Sequence, residues 1–409
     1  MDFLRAKSFF FRGGMALLCG FILLGCQESG KKNRFWGKED EEKELVTVPA
    51  SFTPDSAKQL TSKLDSVFRY FHKKRGFNGT VLVTKYDKVI YKGAFGFADF
   101  FKKDTLTTET AFQLASVSNQ FTAMAIMMLK EEGKLRYEDS VQQYLPEFPY
   151  HNITIRALLT HQSGLSNYTY FSDQLWPDRH KPLTNQDVVN LMVTHRPKPY
   201  YPPNTRFDYS NTGYSLLASI VEKVSEQPFA EFLREHIFEP LEMKHTFTYS
   251  PNEATLTGKI ATGHTRFRQK RTTDYLDTVL GDKGIYSTVE DLFKWDQALY
   301  TNKLVSHATL KEAFTGTRPK KRKEEDYGFG WRILPLENGD TVVYHGGLWH
   351  GFSTYFLRDP KEHSALIVLS NLPNGSFSYL KDLRQFLYPA HPDSTTLDGG
   401  PHWLATARR

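Results

Sequence analysis

Strand-forming runs are concentrated at the two ends of this chain's foldable stretch. Early on, "GTVLVTKY" and "KVIYKGAFG" are β-branched and apolar, and their junction at Asp87 predicts a hairpin. Far downstream, "TVVYHGG", "FSTYFLRD" and "SALIVLSN" return to strand character. The section between them, about 110–300, reads as mainly helical with many loops and no internal repeat. Strands need partners, so the simplest packing brings both ends of the chain into one antiparallel sheet. Terminal helices cover it, the middle forms a helical lobe beside it, and a cleft lies between the lobes. The fold class expected is therefore α+β. In "DSAKQLTSKLDSVFRYFHKK", Leu60, Leu64, Val67, Phe68 and Phe71 recur at helical spacing and predict one buried face. "SFSYLKDLRQFLY", 376–388, reads as the closing helix. With 40% apolar and 14% aromatic residues, a sizeable core is within reach.

The first residues do not belong to that fold. Arg5, Lys7 and Arg12 precede the apolar "GGMALLCGFILLGC", which is too short for a spanning helix and reads as an export signal, 1–25. "LLGC", Leu23 to Cys26, is similar to a bacterial lipobox, in which cleavage leaves a lipid-modified cysteine. The plainer alternative is a signal peptide that happens to contain one. Cys19 lies inside the signal, so Cys26 is the only cysteine of the processed chain and no disulfide can form within it. Residues 26–54 are mostly charged and polar and read as a tether. The folded domain is expected over 55–388, with 389–409 as a loose tail. The protein is thus expected on the bacterial cell envelope, held to a membrane through lipid on Cys26. In a Gram-negative cell that is the outer membrane, with the domain facing periplasm or exterior. The formal charge of +6 is mild and dispersed, and the basic run in "RPKKRKEED", 318–326, is neutralised at once by Glu324, Glu325 and Asp326. Nucleic acid is not an expected partner.

Three short segments carry chemistry. Ser116 follows "FQLA" and opens the helical run "VSNQFTAMAIMMLKEEGK", where Phe121, Met124, Ala125, Met128 and Leu129 form an apolar stripe. A helix start favours developing negative charge, although a serine there is also an ordinary N-cap. Tyr209-Ser210-Asn211 stands just before an apolar helix, and His345-Gly346-Gly347 ends a strand. A tyrosine of lowered pKa can shuttle a proton, an asparagine can hold an amide, and paired glycines admit a substrate backbone. Each motif alone is weak.

Together and in this order they resemble the serine β-lactamase and penicillin-binding-protein superfamily, in its class C β-lactamase, DD-peptidase and esterase-like branch. The resemblance extends to "FNGTVLVTKYDKVIYKGAFGFAD", "LLTHQSGLSNY", "GDKGIYSTVEDLFKWDQAL" and "YGFGWRI", and spans about 56–388. It implies a β-lactamase/transpeptidase-like fold. Ser116 becomes the acylated nucleophile and Tyr209 the proton shuttle, and Asn211, His345, Gly346 and Gly347 bind substrate. The backbone N–H groups of Ser116 and Leu348 form the oxyanion hole. The substrate implied is a small amide or ester, or a peptidoglycan peptide. No cofactor is implied. The 14 histidines include no HExxH pattern and no metal is expected.

One position departs from the family. Its Ser-x-x-Lys motif places a lysine where this chain has Asn119, and asparagine cannot accept a proton at neutral pH. Ser-x-x-Lys occurs elsewhere only at Ser29/Lys32 and Ser378/Lys381, in neither case with the right context. A positive charge beside Tyr209 would compensate, from His345 if protonated or from Lys283 in "LGDKGIYST". The bland expectation for Lys283 is a side chain in solvent. The alternative to an enzyme is a catalytically inactive homologue that binds a peptidoglycan peptide or a protein partner. His161 is expected to be structural. Tyr200, Tyr201, Tyr214 and Trp349 either line the pocket or pack.

Overall fold

The computed structural model describes residues 43–251, 259–317, 325–336 and 339–379, all within one compact unit. The expected signal 1–25, Cys26, the tether as far as 42, residues 380–388 of the closing helix and the tail 389–409 lie outside the described residues.

The two ends of the chain meet in one seven-stranded antiparallel sheet. Its strands are β1 (Gly79–Lys85), β2 (Lys88–Phe95), β8 (Asp326–Tyr327), β9 (Arg332–Pro335), β10 (Thr341–Trp349), β11 (Phe352–Asp359) and β12 (Ser364–Ser370), in the order β2-β1-β12-β11-β10-β9-β8. β1 pairs with β12 from Gly79–Ser370 to Thr84–Ala365, which closes the N- and C-terminal segments on each other. Tyr86 and Asp87 turn the first hairpin with φ of 50° and 63°, the geometry of a tight two-residue connection. Shorter strands lie between. β3 (Phe97–Asp99) pairs with β4 (Asp104–Thr105), while β5 (Phe112–Gln113), β7 (Ile285–Ser287) and β6 (Phe247–Thr248) form a three-stranded sheet.

α1 (Pro54–Arg75) starts on a Thr53 cap and ends at Gly76 with φ 69°. Leu64, Phe68 and Phe71 pack with Val81, Val83, Val342, Leu357, Leu366 and Val368 on one face of the sheet. The alternate strand positions, Leu82, Val343, Phe356, Ile367 and Leu369, join the core on the opposite face. That core is built from α2 (Asn119–Glu131), α3 (Val141–Tyr144), α4 (Ile155–Leu159), α5 (Tyr168–Leu175), α6 (Asn185–His195), α7 (Asn211–Ser225), α8 (Phe229–Leu233), α9 (Val289–Ala298) and α10 (His307–Ala313). The fold is α+β and β-lactamase/transpeptidase-like. One expectation needs correction. α2 is buried on every side from Asn119 to Leu129, not along a stripe, because α7, α8 and α10 all pack against it. Ser376–Tyr379 form a single 3₁₀ turn, the described part of the expected closing helix.

Candidate active site

Ser116 is presented by a strained turn. Leu114 donates its N–H to Ile285, after which Ala115 adopts φ 50°, a left-handed conformation costly for a residue with a Cβ. A 3₁₀ turn, Ala115–Ser118, then leads into α2. Ser116 caps neither element, since Leu114 and Ser118 occupy the cap positions. Its half-buried hydroxyl lies near Tyr209 and lowers the pKa of that phenol.

Gly347 sets how close β10 comes to this turn. A Cβ there would lie 2.3 Å from the Leu114 carbonyl and 3.0 Å from the Ala115 Cβ, so glycine lets the strand pass. β9 ends opposite Tyr344, and beyond it this edge of β10 carries no strand among the described residues. The Leu336 N–H donates to Asp340, and Leu334 and Arg332 pair with Val342 and Tyr344. Even-numbered residues of β10 therefore send their backbone groups toward that edge. Gly346 and Leu348 continue the series, so the Leu348 N–H projects toward the same edge, one residue after the Gly347 that passes Leu114 and Ala115.

Behind Ser116 runs a chain of uncharged hydrogen bonds. Asn119 Nδ2 donates to the Tyr209 oxygen at 2.8 Å and to the Tyr327 oxygen at 3.4 Å. Tyr327 and His345 Nε2 are 3.0 Å apart, and His345 Nδ1 lies 2.7 Å from the Gly346 carbonyl. That carbonyl can only accept, so His345 is protonated on Nδ1 and Nε2 accepts from Tyr327. Asn119 Oδ1 is buried without a partner among the described residues. Burial, reinforced by the nearby Arg332 charge, pushes the His345 pKa down to about 3, so it supplies no positive charge at neutral pH. The Arg332 guanidinium lies 5.9 Å from the centre of the Tyr209 ring and is ion-paired to Glu325. Burial pushes Tyr209 up to about 12, against the pull of Ser116, Arg332 and Asn119.

Lys283 is not in solvent. It is 2% exposed and donates to the Tyr168 oxygen at 2.6 Å and the Val279 carbonyl at 2.9 Å, with Asp282 at 3.6 Å. Its ammonium lies 5.0 Å above the Trp349 ring, and its contacts include neither Ser116 nor Tyr209. Asn211 opens α7, half-buried, with no side-chain hydrogen bond to a described residue. His161 is buried, stacks 4.1 Å from Tyr209 and accepts the Ser210 N–H at 3.2 Å. Tyr214 packs and bonds the Leu159 carbonyl, while Tyr200 is exposed. Sequence reading missed Tyr327 and Arg332 as members of this cluster; both lie in the quoted "YGFGWRI".

The Beta-lactamase family model matches residues 64–387. Penicillin-binding protein 4* of Bacillus subtilis (strain 168) is 38% identical over 321 residues, covering 75% of this chain and 71% of that protein. The octameric penicillin-binding protein homologue from Pyrococcus abyssi superposes with a TM-score of 0.69 at 27% identity, covering 80% of this chain and 77% of that one. The penicillin-binding protein from Bacillus halodurans gives 0.69 at 26% identity, over 78% and 98%.

Proposed function

This chain belongs to the Beta-lactamase family, and from that premise we propose that it is a serine hydrolase that forms an acyl-enzyme on Ser116 from an amide or ester. The family itself supports the serine-hydrolase type of function. The observation that carries the finer reading is the strained turn that presents Ser116 beside Tyr209, whose oxygen is held by Asn119 Nδ2 at 2.8 Å.

In the reaction, carried out by the ionised fraction of Tyr209, Ser116 Oγ attacks the carbonyl carbon and its proton passes to the Tyr209 phenolate oxygen, which becomes the neutral phenol. The oxyanion that forms takes the backbone N–H groups of Ser116 and Leu348. Tyr209 then hands the proton to the leaving amine or alcohol, and water repeats the sequence to release the acid. Asn211 holds a substrate amide with its unengaged side chain. Asn119 fixes Tyr209 by hydrogen bonding without taking a proton. The relatives' names point to penicillin as a ligand, and the family suggests peptidoglycan-peptide or β-lactam-type substrates. The domain is carried on the envelope by lipid on Cys26, after removal of 1–25, through the tether 26–54.

The second reading is a binding protein without turnover. Tyr209 held at about 12 favours it, because at pH 7 only about one molecule in 10⁵ then has the base ionised. Intact-mass spectrometry after exposure to a fluorophosphonate or a reactive β-lactam separates the two. A single adduct mapping to Ser116 and absent in Ser116→Ala supports the hydrolase. Unmodified, correctly folded protein leaves only the binder.

A further inference from the structure

Two loops remote in sequence form one surface. The β3–β4 turn reads Asp99-Phe100-Phe101-Lys102-Lys103-Asp104, and the second loop, 264–271, reads "HTRFRQKR". They are fastened together at their bases. The Phe100 N–H donates to His264 Nε2 at 3.4 Å, and the two rings meet edge to face at 4.9 Å. The Arg268 guanidinium sits 5.1 Å above the Phe100 ring, and Thr262 donates to Asp99 at 3.2 Å. Asp99 also accepts the N–H groups of Phe101 and Lys102, at 2.8 and 3.0 Å, and so fixes the turn that offers Phe101 outward.

What these fastened loops present is unusual for a solvated surface. Phe101 is 95% exposed and Phe267 70%, the two most exposed aromatic side chains among the described residues. Around them stand Lys102, Lys103, Arg266, Arg268, Lys270 and Arg271, all exposed and none ion-paired with a described residue. The carboxylates in the same loops are Asp99, which is buried, and Asp104. Six cations against two carboxylates leave an excess of four here, in a chain whose total is +6.

We propose that this surface docks the domain onto an anionic phospholipid bilayer, with Phe101 and Phe267 entering the interface and the six cations pairing with headgroups. A soluble polyanion would use the cations and leave both rings in water. A bilayer surface takes both, because aromatic rings favour the headgroup level and cations gain near anionic lipid. The surface also adjoins the catalytic hairpin. A Cβ on Gly351, in the β10–β11 turn, would lie 2.4 Å from the His264 backbone nitrogen. Docking would therefore hold the Ser116 site close to the membrane. The inference is independent of the chemistry at Ser116 and of lipid on Cys26.

The test uses the full chain carrying Cys26→Ala, sedimented with phosphatidylcholine vesicles with and without phosphatidylglycerol. Each variant is measured against this parent, so any pull from residues 1–25 is common to all. Phosphatidylglycerol should raise the partition constant about tenfold or more, and added salt should reverse the gain. Phe101→Ser/Phe267→Ser should lose about tenfold on the anionic vesicles. Arg266→Glu/Arg268→Glu should erase the preference for anionic lipid, and provides a second reading should the first pair fold poorly. Unchanged thermal melting and circular dichroism confirm that each variant is folded. Equal binding to both vesicle types overturns the proposal, as does a serine pair that binds like its parent. Capture by soluble polyphosphate with no vesicle binding would assign the surface to a dissolved polyanion instead.

Discussion

Two buried polar clusters flank the end of β10, and they are built on opposite electrostatic plans. Around Lys283 the groups are charged and closely matched. Tyr168 takes the Lys283 ammonium and itself donates to Asp282 at 3.1 Å, Trp349 Nε1 donates to Asp277 at 2.6 Å, and His350 lies between Asp277 and Asp274. Asp274, Asp277 and His350 are also the one acid–histidine group among the described residues compact enough for a metal ion, but they already bond one another and Trp349. Around Tyr209 the hydrogen-bonding groups are neutral, two phenols, an amide and an imidazole, with a buried amide oxygen left unbonded among the described residues, and the nearby Arg332 is ion-paired to Glu325. The first cluster holds the hairpin that carries Leu348. The second touches Ser116. A buried ammonium is thus present in this chain, but it is committed to the scaffold, and the base beside the serine is left without one.

The comparison breaks most visibly at Lys283. Lys283→Ala leaves Asp282 buried without its cation, a loss of about 3–5 kcal/mol in denaturant unfolding. Labelling of Ser116 per folded molecule should persist. Loss of labelling with stability intact would move Lys283 into the catalytic cluster. His350 comes next. Burial alone would lower its pKa, but Asp274 and Asp277 outweigh that and lift it from 6.5 to about 9. A raised histidine stabilises fully below its unfolded pKa and loses that contribution as pH rises through the folded one. Stability should therefore fall by up to about 3 kcal/mol between pH 6.5 and pH 9. His350→Gln should flatten this dependence, which unfolding curves across that range would read. The smallest effect, at about 2.7 kcal/mol in barrier, sharpens the contrast from the other side. Asn119→Lys should speed hydrolysis of a small ester about 10²-fold by returning a cation to Tyr209.

Local patterns in the sequence carried the frame. The spacing of Leu64, Phe68 and Phe71 gives α1, and the β-branched runs give β1, β2 and β10 to β12, because each is decided over a few residues. The β5-β7-β6 sheet was not visible. Its strands are two or three residues long and its pairings, such as Gln113 with Tyr286, join distant segments. In the site, Ser116, Tyr209 and His345 announced themselves through motif order. Tyr327 and Arg332 did not, since only the β8–β9 turn brings them to Tyr209 and His345. Lys283 misled for a related reason: a lysine in a glycine-flanked loop reads as solvated unless Asp282 and Tyr168 are known to enclose it.

The central claim is that Tyr209 serves Ser116 as a base, and that burial holds it un-ionised at neutral pH against the pull of Arg332. The pH dependence of Ser116 acylation by a small ester or fluorophosphonate, corrected with Ser116→Ala, tests this most directly. With Tyr209 at about 12, the rate should climb about tenfold per pH unit above neutrality without a plateau. Tyr209→Phe should abolish that climb, and Asn119→Lys should shift it to lower pH. A rate that is flat above neutrality, or one that Tyr209→Phe leaves unchanged, would contradict the account.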